Sequence, residues 1–361
     1  MPGAVLGIVR GGKLAALDAF GYRDAVNGVP MTTDTMFWIA SMTKPVTAVG
    51  ALVLHEQGRL VLDTAMGDYL PEFSDREVAD QETLRTRPAT RQPTVLDLLR
   101  HTAGIPEGML GRTAVHASYA EAVGDGMTDL TGPQFRDRLG TLPLLHDPGT
   151  VWHYGFGFDL VGQVIEDLTG LSLGAHLREH VLDPLGMRDT RFGGPGEEFG
   201  RYAAAFPSDP ESGAPQGLPD LARARFDSGG AGLVGTAGDY LTFVQMLLGR
   251  GEVAGRRVLG RKTVDFMLAD SLAPGVDISG LTKPGWNCGH GFGLGVAVRR
   301  GIGGAATAGS PGEVTWPGAA GTFWWADPHE DLGVVFMTHT PSRIQAGYQQ
   351  KIKALVEQAL V

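Results

Sequence analysis

Two side chains in the first fifty residues have the types and spacing for nucleophilic catalysis. Ser41 and Lys44 lie three residues apart in Ser41-Met42-Thr43-Lys44, so a helix brings them to one face. A serine hydroxyl at a helix N-terminus gains from the dipole, which favours negative charge developing there. A lysine beside it can take the hydroxyl proton if burial lowers its pKa enough to leave part of it neutral. The spacing alone is not selective: with 11 serines and 6 lysines in 361 residues, about 0.2 such pairs are expected by chance. A capping serine followed by a solvent-facing lysine has the same pattern. The setting favours chemistry, because Phe37-Trp38-Ile39-Ala40 precedes the pair and an apolar helix follows it. A lysine at a buried helix entrance needs an explanation.

Other local motifs are weak or absent. There is no G-x-S-x-G elbow and no H-E-x-x-H, and Gly255 to Thr263 has P-loop glycine spacing with Arg261 where the lysine belongs. Gly291-Phe292-Gly293-Leu294-Gly295 reads as a strand with close backbone packing. The single cysteine, Cys288 beside Trp286, excludes an intrachain disulfide and reads as a packed thiol. No cysteine and histidine spacing matches a zinc site. Neither a metal nor a cofactor is expected.

The elements that must hold Ser41 and Lys44 follow from patterning. Ala4 to Val9 and Leu14 to Phe20 read as a hairpin turning at Gly11-Gly12. Ser41 to Gln57 reads as a mostly buried helix, with Pro45 tolerated in its first turn and Gly58 ending it. Residues 70 to 93 carry Pro71, Pro88 and Pro93 and read as a connector. Thr94 with Asp97 forms a capping-box pattern, and the pattern stays mainly helical to about residue 190. Residues 193 to 220 read as a long surface loop. Thr236 with Asp239 opens a second capped helix through Leu248. Strands follow at Gly291 to Arg299, Gly321 to Ala326 and Leu332 to Thr338, and residues 345 to 360 close with a helix. The expected fold class is α/β of the α+β type: one antiparallel sheet from the N- and C-terminal segments, flanked by helices, with a mainly helical region inserted. The expected division is 1–68 with 222–361 as the sheet domain and 69–221 as the helical one.

Composition narrows the function classes. Hydrophobic residues make up 43% and charged residues 19%, enough for a sizeable core. The 54 glycines and 22 prolines have no fixed period and predict many turns. A net charge of −10 disfavours nucleic acid as a partner. No apolar run is long enough to span a bilayer, and the N-terminal stretch lacks the basic leader of a signal peptide. The chain as given is expected to be soluble and cytoplasmic, without a membrane or nucleic-acid partner.

The segment Phe37-Trp38-Ile39-Ala40-Ser41-Met42-Thr43-Lys44-Pro45 resembles the nucleophile segment of the serine β-lactamase-like superfamily. It is most similar to the class C β-lactamases and the related family VIII carboxylesterases. The resemblance continues at Thr94 to Gly104, at Pro148-Gly149-Thr150-Val151-Trp152-His153-Tyr154-Gly155, at Gly229 to Tyr240 and at Trp316 to Pro328. These segments lie in family order and span nearly the whole chain, which is far more specific than the serine–lysine spacing. The resemblance implies a β-lactamase/transpeptidase-like fold. It implies Ser41 as the acylated nucleophile, Lys44 as general base or proton relay, and Tyr154 as a phenol shuttling protons between them and the leaving group. A phenol suits this only where positive charge stabilises phenolate, so Tyr154 and Lys44 would titrate as a coupled pair.

Three departures from the β-lactamase pattern direct the reading. Tyr154-Gly155-Phe156 stands in place of Tyr-x-Asn. The Lys-Thr-Gly motif is missing, and Trp316-Pro317-Gly318 resembles the esterases' Trp-Gly-Gly. A tryptophan cannot bind a substrate carboxylate as Lys-Thr-Gly does, but it can pack on an uncharged acyl or alcohol group. Relatives also carry an N-terminal helix before the first strand, so a start lying upstream would leave room for an export signal. Pro317 has no N–H to donate, so the implied oxyanion hole is the backbone N–H of Ser41 and that of Ala319. Trp316, Gly318, Phe156 and His153 are assigned to the substrate pocket, with packing as the alternative for His153. Arg223 and Arg225 read as a solvated loop, and His101 as a charge suited to a helix C-terminus. The expected function is a serine carboxylesterase cleaving small neutral esters. An acyltransferase, a β-lactamase or D-aminopeptidase-type amidase, and a non-catalytic penicillin-binding-like protein are the alternatives. The oligomeric state is not legible.

Overall fold

The first hairpin turns where both Gly11 and Gly12 adopt positive φ, at 57° and 68°. That is the geometry two-residue hairpin loops favour, and glycine reaches it without strain. The computed structural model describes residues 1–124, 126–193, 200–276, 278, 289–341 and 347–360. Strand Gly3–Arg10 pairs antiparallel with Lys13–Asp24 on one side and with Leu332–Met337 on the other. The two ends of the chain therefore meet in the middle of one sheet. Its eight strands run, in spatial order, His290–Phe292, Ala297–Arg299, Val314–Thr315, Phe323–Asp327, Leu332–Met337, Gly3–Arg10, Lys13–Asp24 and Val29–Pro30. All neighbours in it are antiparallel.

Helices cover both faces. Ala237–Leu248 lies on one, where Gly7 and Gly333 make its approach possible. A Cβ at Gly7 would stand 2.4 Å from Leu241, and one at Gly333 2.5 Å from Val244. Tyr348–Glu357 covers the other, over Phe323, Trp325 and Phe336. Behind the first helix runs Thr43–Glu56, buried from Thr43 through Leu54. It packs on Gly157–Thr169, whose own apolar run is buried from Gly157 to Ile165. Each such Val, Leu or Ile contributes about 2 kcal/mol by leaving water. The helices Val95–Leu99, Ala114–Val123, Gly132–Gly140, Gly157–Thr169 and Leu173–Leu177 fill the middle of the chain. We propose to keep the division at 68/69 and 221/222 on this clustering of helices.

The patterning erred locally in four places. The connector at 70 to 93 contains a small hairpin, Glu77–Ala79 with Thr86–Pro88. Gly291 to Arg299 is a hairpin rather than one strand: Gly295 takes φ 86°, and the Gly293 N–H donates to Val296 O at 2.8 Å. Its glycines serve a turn that docks on Leu99 O through Gly295 N, at 3.1 Å. Thr94 and Asp97 form the complete capping box, but Thr236 and Asp239 form only half of one. The Asp239 carboxylate is instead taken by Asp189 N at 2.8 Å and Thr190 Oγ1 at 2.9 Å. Lastly, the helix predicted from Ser41 starts as a 3-10 turn, Ala40–Met42, before the α-helix begins at Thr43.

Candidate active site

Ser41 owes its position to a bend. The short strand Met36–Trp38 pairs with Leu233–Thr236, and Ile39 N donates to Leu233 O at 3.1 Å. Ala40 then takes φ 47°, a left-handed conformation uncommon for a residue with a Cβ. Strain of this kind persists only where the surroundings enforce it. Trp38 N donates to His339 Nε2 at 3.0 Å, and His339 Nδ1 pairs with Ala203 O at 2.8 Å. Burial pushes the His339 pKa down to about 4, so the ring is neutral, with Nδ1 the donor. On the far side, Thr43 Oγ1 accepts from Leu233 N and Tyr240 donates to Met42 O. The segment carrying Ser41 is thus fixed on both flanks.

Three side chains converge. Ser41 Oγ and the Tyr154 hydroxyl are 2.6 Å apart. Lys44 Nζ donates to Gly230 O at 2.8 Å and to Ser41 Oγ at 3.4 Å. The same nitrogen lies 4.4 Å from the centre of the Tyr154 ring. Lys44 is 1% exposed, yet among the described residues it forms no ion pair.

The Gly230 carbonyl is aimed by a carboxylate that sequence reasoning missed. Asp159 Oδ1 accepts from Ser228 Oγ at 2.5 Å and from Gly230 N at 3.3 Å, and Thr47 Oγ1 donates to Gly229 O at 2.8 Å. The turn 228–231 is therefore tied to both central helices. A signal was present: Asp159 interrupts the apolar run Phe158-Asp159-Leu160-Val161, where a carboxylate needs partners.

Electrostatics reverse one expectation. Burial alone would lower the Lys44 pKa, as predicted, but Tyr154, Glu107 and Asp159 outweigh it and the net shift is upward. Burial raises the Tyr154 pKa, while Lys44 opposes the rise. At neutral pH the resting pair is an ammonium and a phenol.

Tyr154 stacks on Trp316, with centroids 5.6 Å apart and planes at 28°, and lies 4.6 Å from the His101 ring. His101 takes φ 57° beyond the helix Val95–Leu99. Its Nδ1 accepts from Gly155 N at 3.4 Å, and its carbonyl accepts from His153 N at 2.8 Å. Burial, then the charge of Lys44, holds the His101 pKa well below its ordinary value. It is a neutral wall under Tyr154, not the helix-end charge expected.

Ser41, Lys44 and Ala319 line one end of a cavity of about 530 Å³, with Trp38, Phe156 and Phe226 on its apolar walls. Ala319 is exposed there, and among the described residues its N–H has no hydrogen-bond acceptor. Phe156 is part of this lining, and the other three residues assigned to the pocket stand elsewhere. Trp316 is buried behind Tyr154 and does not line the cavity. Gly318 brings its loop against the nucleophile segment: a Cβ there would stand 2.4 Å from Ile39 O. His153 is half-buried and does not line the cavity; its Nε2 is 3.1 Å from that of His116. Arg223 and Arg225 are exposed, as expected. Cys288 lies outside the described residues. Among the described residues no group of three or more His, Cys, Asp or Glu is arranged to hold a metal ion, and no helix is long and apolar enough to cross a membrane.

The chain resembles known proteins along nearly its whole length. Protein Rv1367c of Mycobacterium tuberculosis is 36% identical over 352 residues, covering 94% of this chain and 86% of that one. Esterase EstB of Burkholderia gladioli is 31% identical over 358 residues, with 94% and 86% covered. Among solved structures, EstCE1, described as a hydrolase with promiscuous acyltransferase activity, superposes with a TM-score of 0.84 at 28% identity, covering 99% of this chain and 93% of that one. The family profile named Beta-lactamase matches residues 1–356. On that match and these relatives, the chain belongs to the Beta-lactamase family.

Proposed function

We propose that the chain is a serine esterase that cleaves small neutral carboxylic esters through an acyl-enzyme on Ser41. The observation that carries this is the 2.6 Å contact of Ser41 Oγ with Tyr154 beside a buried lysine that, among the described residues, forms no ion pair. Loss of one proton from the Lys44–Tyr154 pair leaves an ammonium beside a phenolate, or an amine beside a phenol. In either form the pair takes the Ser41 proton as Oγ attacks the ester carbonyl. The carbonyl oxygen becomes an oxyanion facing the N–H groups of Ser41 and Ala319, each worth about 3 kcal/mol in the transition state. Collapse breaks the ester C–O bond, and the proton held by the pair passes to the leaving alcohol. Water then attacks the acyl carbon and gives one proton to the pair; the acyl C–Oγ bond breaks, that proton passes to Ser41 Oγ, and the acid is released.

EstB is named an esterase, which supports hydrolysis. The activity in the description of EstCE1 supports a second reading, in which an alcohol replaces water as acyl acceptor. The cavity offers Lys44 as its only cationic lining side chain among the described residues. That disfavours a carboxylate-bearing β-lactam. The test is turnover of short-chain p-nitrophenyl esters by Ser41→Ala, expected to fall by at least about 10³-fold. Undiminished turnover overturns the reading, and cephalosporin hydrolysis at a rate matching the ester favours a lactamase.

A further inference from the structure

One carboxylate in the reaction cavity is left unbonded among the described residues. Glu107 precedes the 3-10 turn Gly108–Leu110, is half-buried, and lines the same cavity as Ser41. Among the described residues its side chain makes no hydrogen bond and no ion pair. Burial raises its pKa, Lys44 draws it down, and Asp159 raises it again. Asp159, the other acid of the cavity, is already bonded to Ser228 and Gly230. Lys44 is likewise committed to Gly230 O and Ser41 Oγ. Facing the open cavity with no bonded partner among the described residues, the Glu107 carboxylate is free to pair with a charged group on a bound molecule.

The surroundings say which partner fits. With all three groups ionised, the lining carries one positive and two negative charges, in a chain of net charge −10. The walls near them are aromatic or flexible: Trp38, Phe135, Phe156 and Phe226, with Met109 at 83% exposure on the lip. Aromatic faces accept the apolar stem of a substituent and are attracted to an ammonium. A carboxylate placed there would meet Glu107 and Asp159 in a low-dielectric enclosure.

We propose that Glu107 makes the cavity selective by charge, so that substrates whose acyl or alcohol arm ends in an amine are preferred over those ending in a carboxylate. This rests on the esterase reading, since the arm is part of an ester attacked at Ser41. A bound ammonium pairs with Glu107 and its stem lies on the aromatic wall. An uncharged arm binds by the wall alone, and an anionic arm is repelled.

Binding and turnover are tested separately. First, 4-phenylbutylamine, 4-phenylbutanol and 4-phenylbutanoate are titrated by calorimetry into Ser41→Ala protein, where no chemistry is needed. The amine is expected to bind about tenfold tighter than the carboxylate, with the alcohol between them. Adding Glu107→Gln to that protein is expected to collapse the ratio to about threefold or less. A carboxylate that binds as well as the amine overturns the inference, and so does an order that survives Glu107→Gln. Second, the wild-type protein is given p-nitrophenyl esters of hexanoic and 6-aminohexanoic acid and of adipic acid (as monoester). The same charge order is expected in kcat/KM. Absent or Ser41-independent turnover of the hexanoate defeats the esterase reading, whereas Ser41-dependent turnover with a flat charge order defeats the inference alone.

Discussion

Lys44 and Lys353 are both buried, and both lie over an aromatic ring, yet their surroundings differ in one respect. Lys353 Nζ is 4.8 Å from the Trp325 ring centre and is bonded to Glu313 at 2.5 Å and Glu357 at 2.7 Å. Lys44 Nζ is 4.4 Å from the Tyr154 ring centre, and its acceptors are a hydroxyl and a backbone carbonyl. The first lysine is bonded to two carboxylates and ties the C-terminal helix to the sheet. The second is held in place by neutral groups, with negative charge near but not bonded to it, and its nitrogen points at the hydroxyl that must lose a proton. Glu313 shows the cost of the structural arrangement: burial raises its pKa to about 6 although Lys353 and Arg299 pull it down. A buried ion pair is costly to break because the remaining charge has no compensation.

The comparison makes opposite predictions for the two lysines. Lys44→Met is expected to lower ester kcat/KM by about 10³-fold or more while the protein still melts cooperatively, since an apolar side chain is tolerated in that burial. Lys353→Met is expected to leave kcat/KM within about twofold and to destabilise the fold by about 3 kcal/mol, because Glu313 loses its nearest cation. Denaturant melts and initial rates on both variants decide the matter; a Lys44→Met protein that is active and unstable would reverse the assignment.

A smaller effect sharpens the account of Lys44. Asp159 favours its ammonium form by charge and aims the Gly230 carbonyl at it. In Asp159→Asn the charge goes while Oδ1 still accepts from Ser228. The Lys44 pKa then falls, so the acid limb of the kcat/KM profile moves to lower pH. A limb that stays in place removes Asp159 from the control of the pair.

The sheet and its meeting of chain ends were legible because alternation, Gly11-Gly12 and the β-branched run at Leu332 to Thr338 are local signals. Thr94 with Asp97 was legible for the same reason. The half-box at Thr236 was not, since whether Asp239 turns back to its own helix depends on Asp189 and Thr190, some fifty residues away in sequence. Ser41, Lys44 and Tyr154 come together from segments whose motifs were readable. Trp316 and His153 were placed wrongly because side-chain direction is decided by packing: one ring went behind Tyr154, the other to His116. Glu107 carries no motif, and only the shape of the cavity reveals it. The direction of the Lys44 shift was misjudged because burial was visible in the sequence pattern while Asp159 and Glu107 were not.

The central claim is that Ser41 becomes acylated. Intact mass after rapid quenching of a p-nitrophenyl butyrate reaction tests it directly. The account predicts a transient gain of one butyryl group, mapped by peptide fragmentation to Ser41 and absent from Ser41→Ala. Full turnover with no covalent adduct at any quench time, or an adduct or activity that persists in Ser41→Ala, would contradict it.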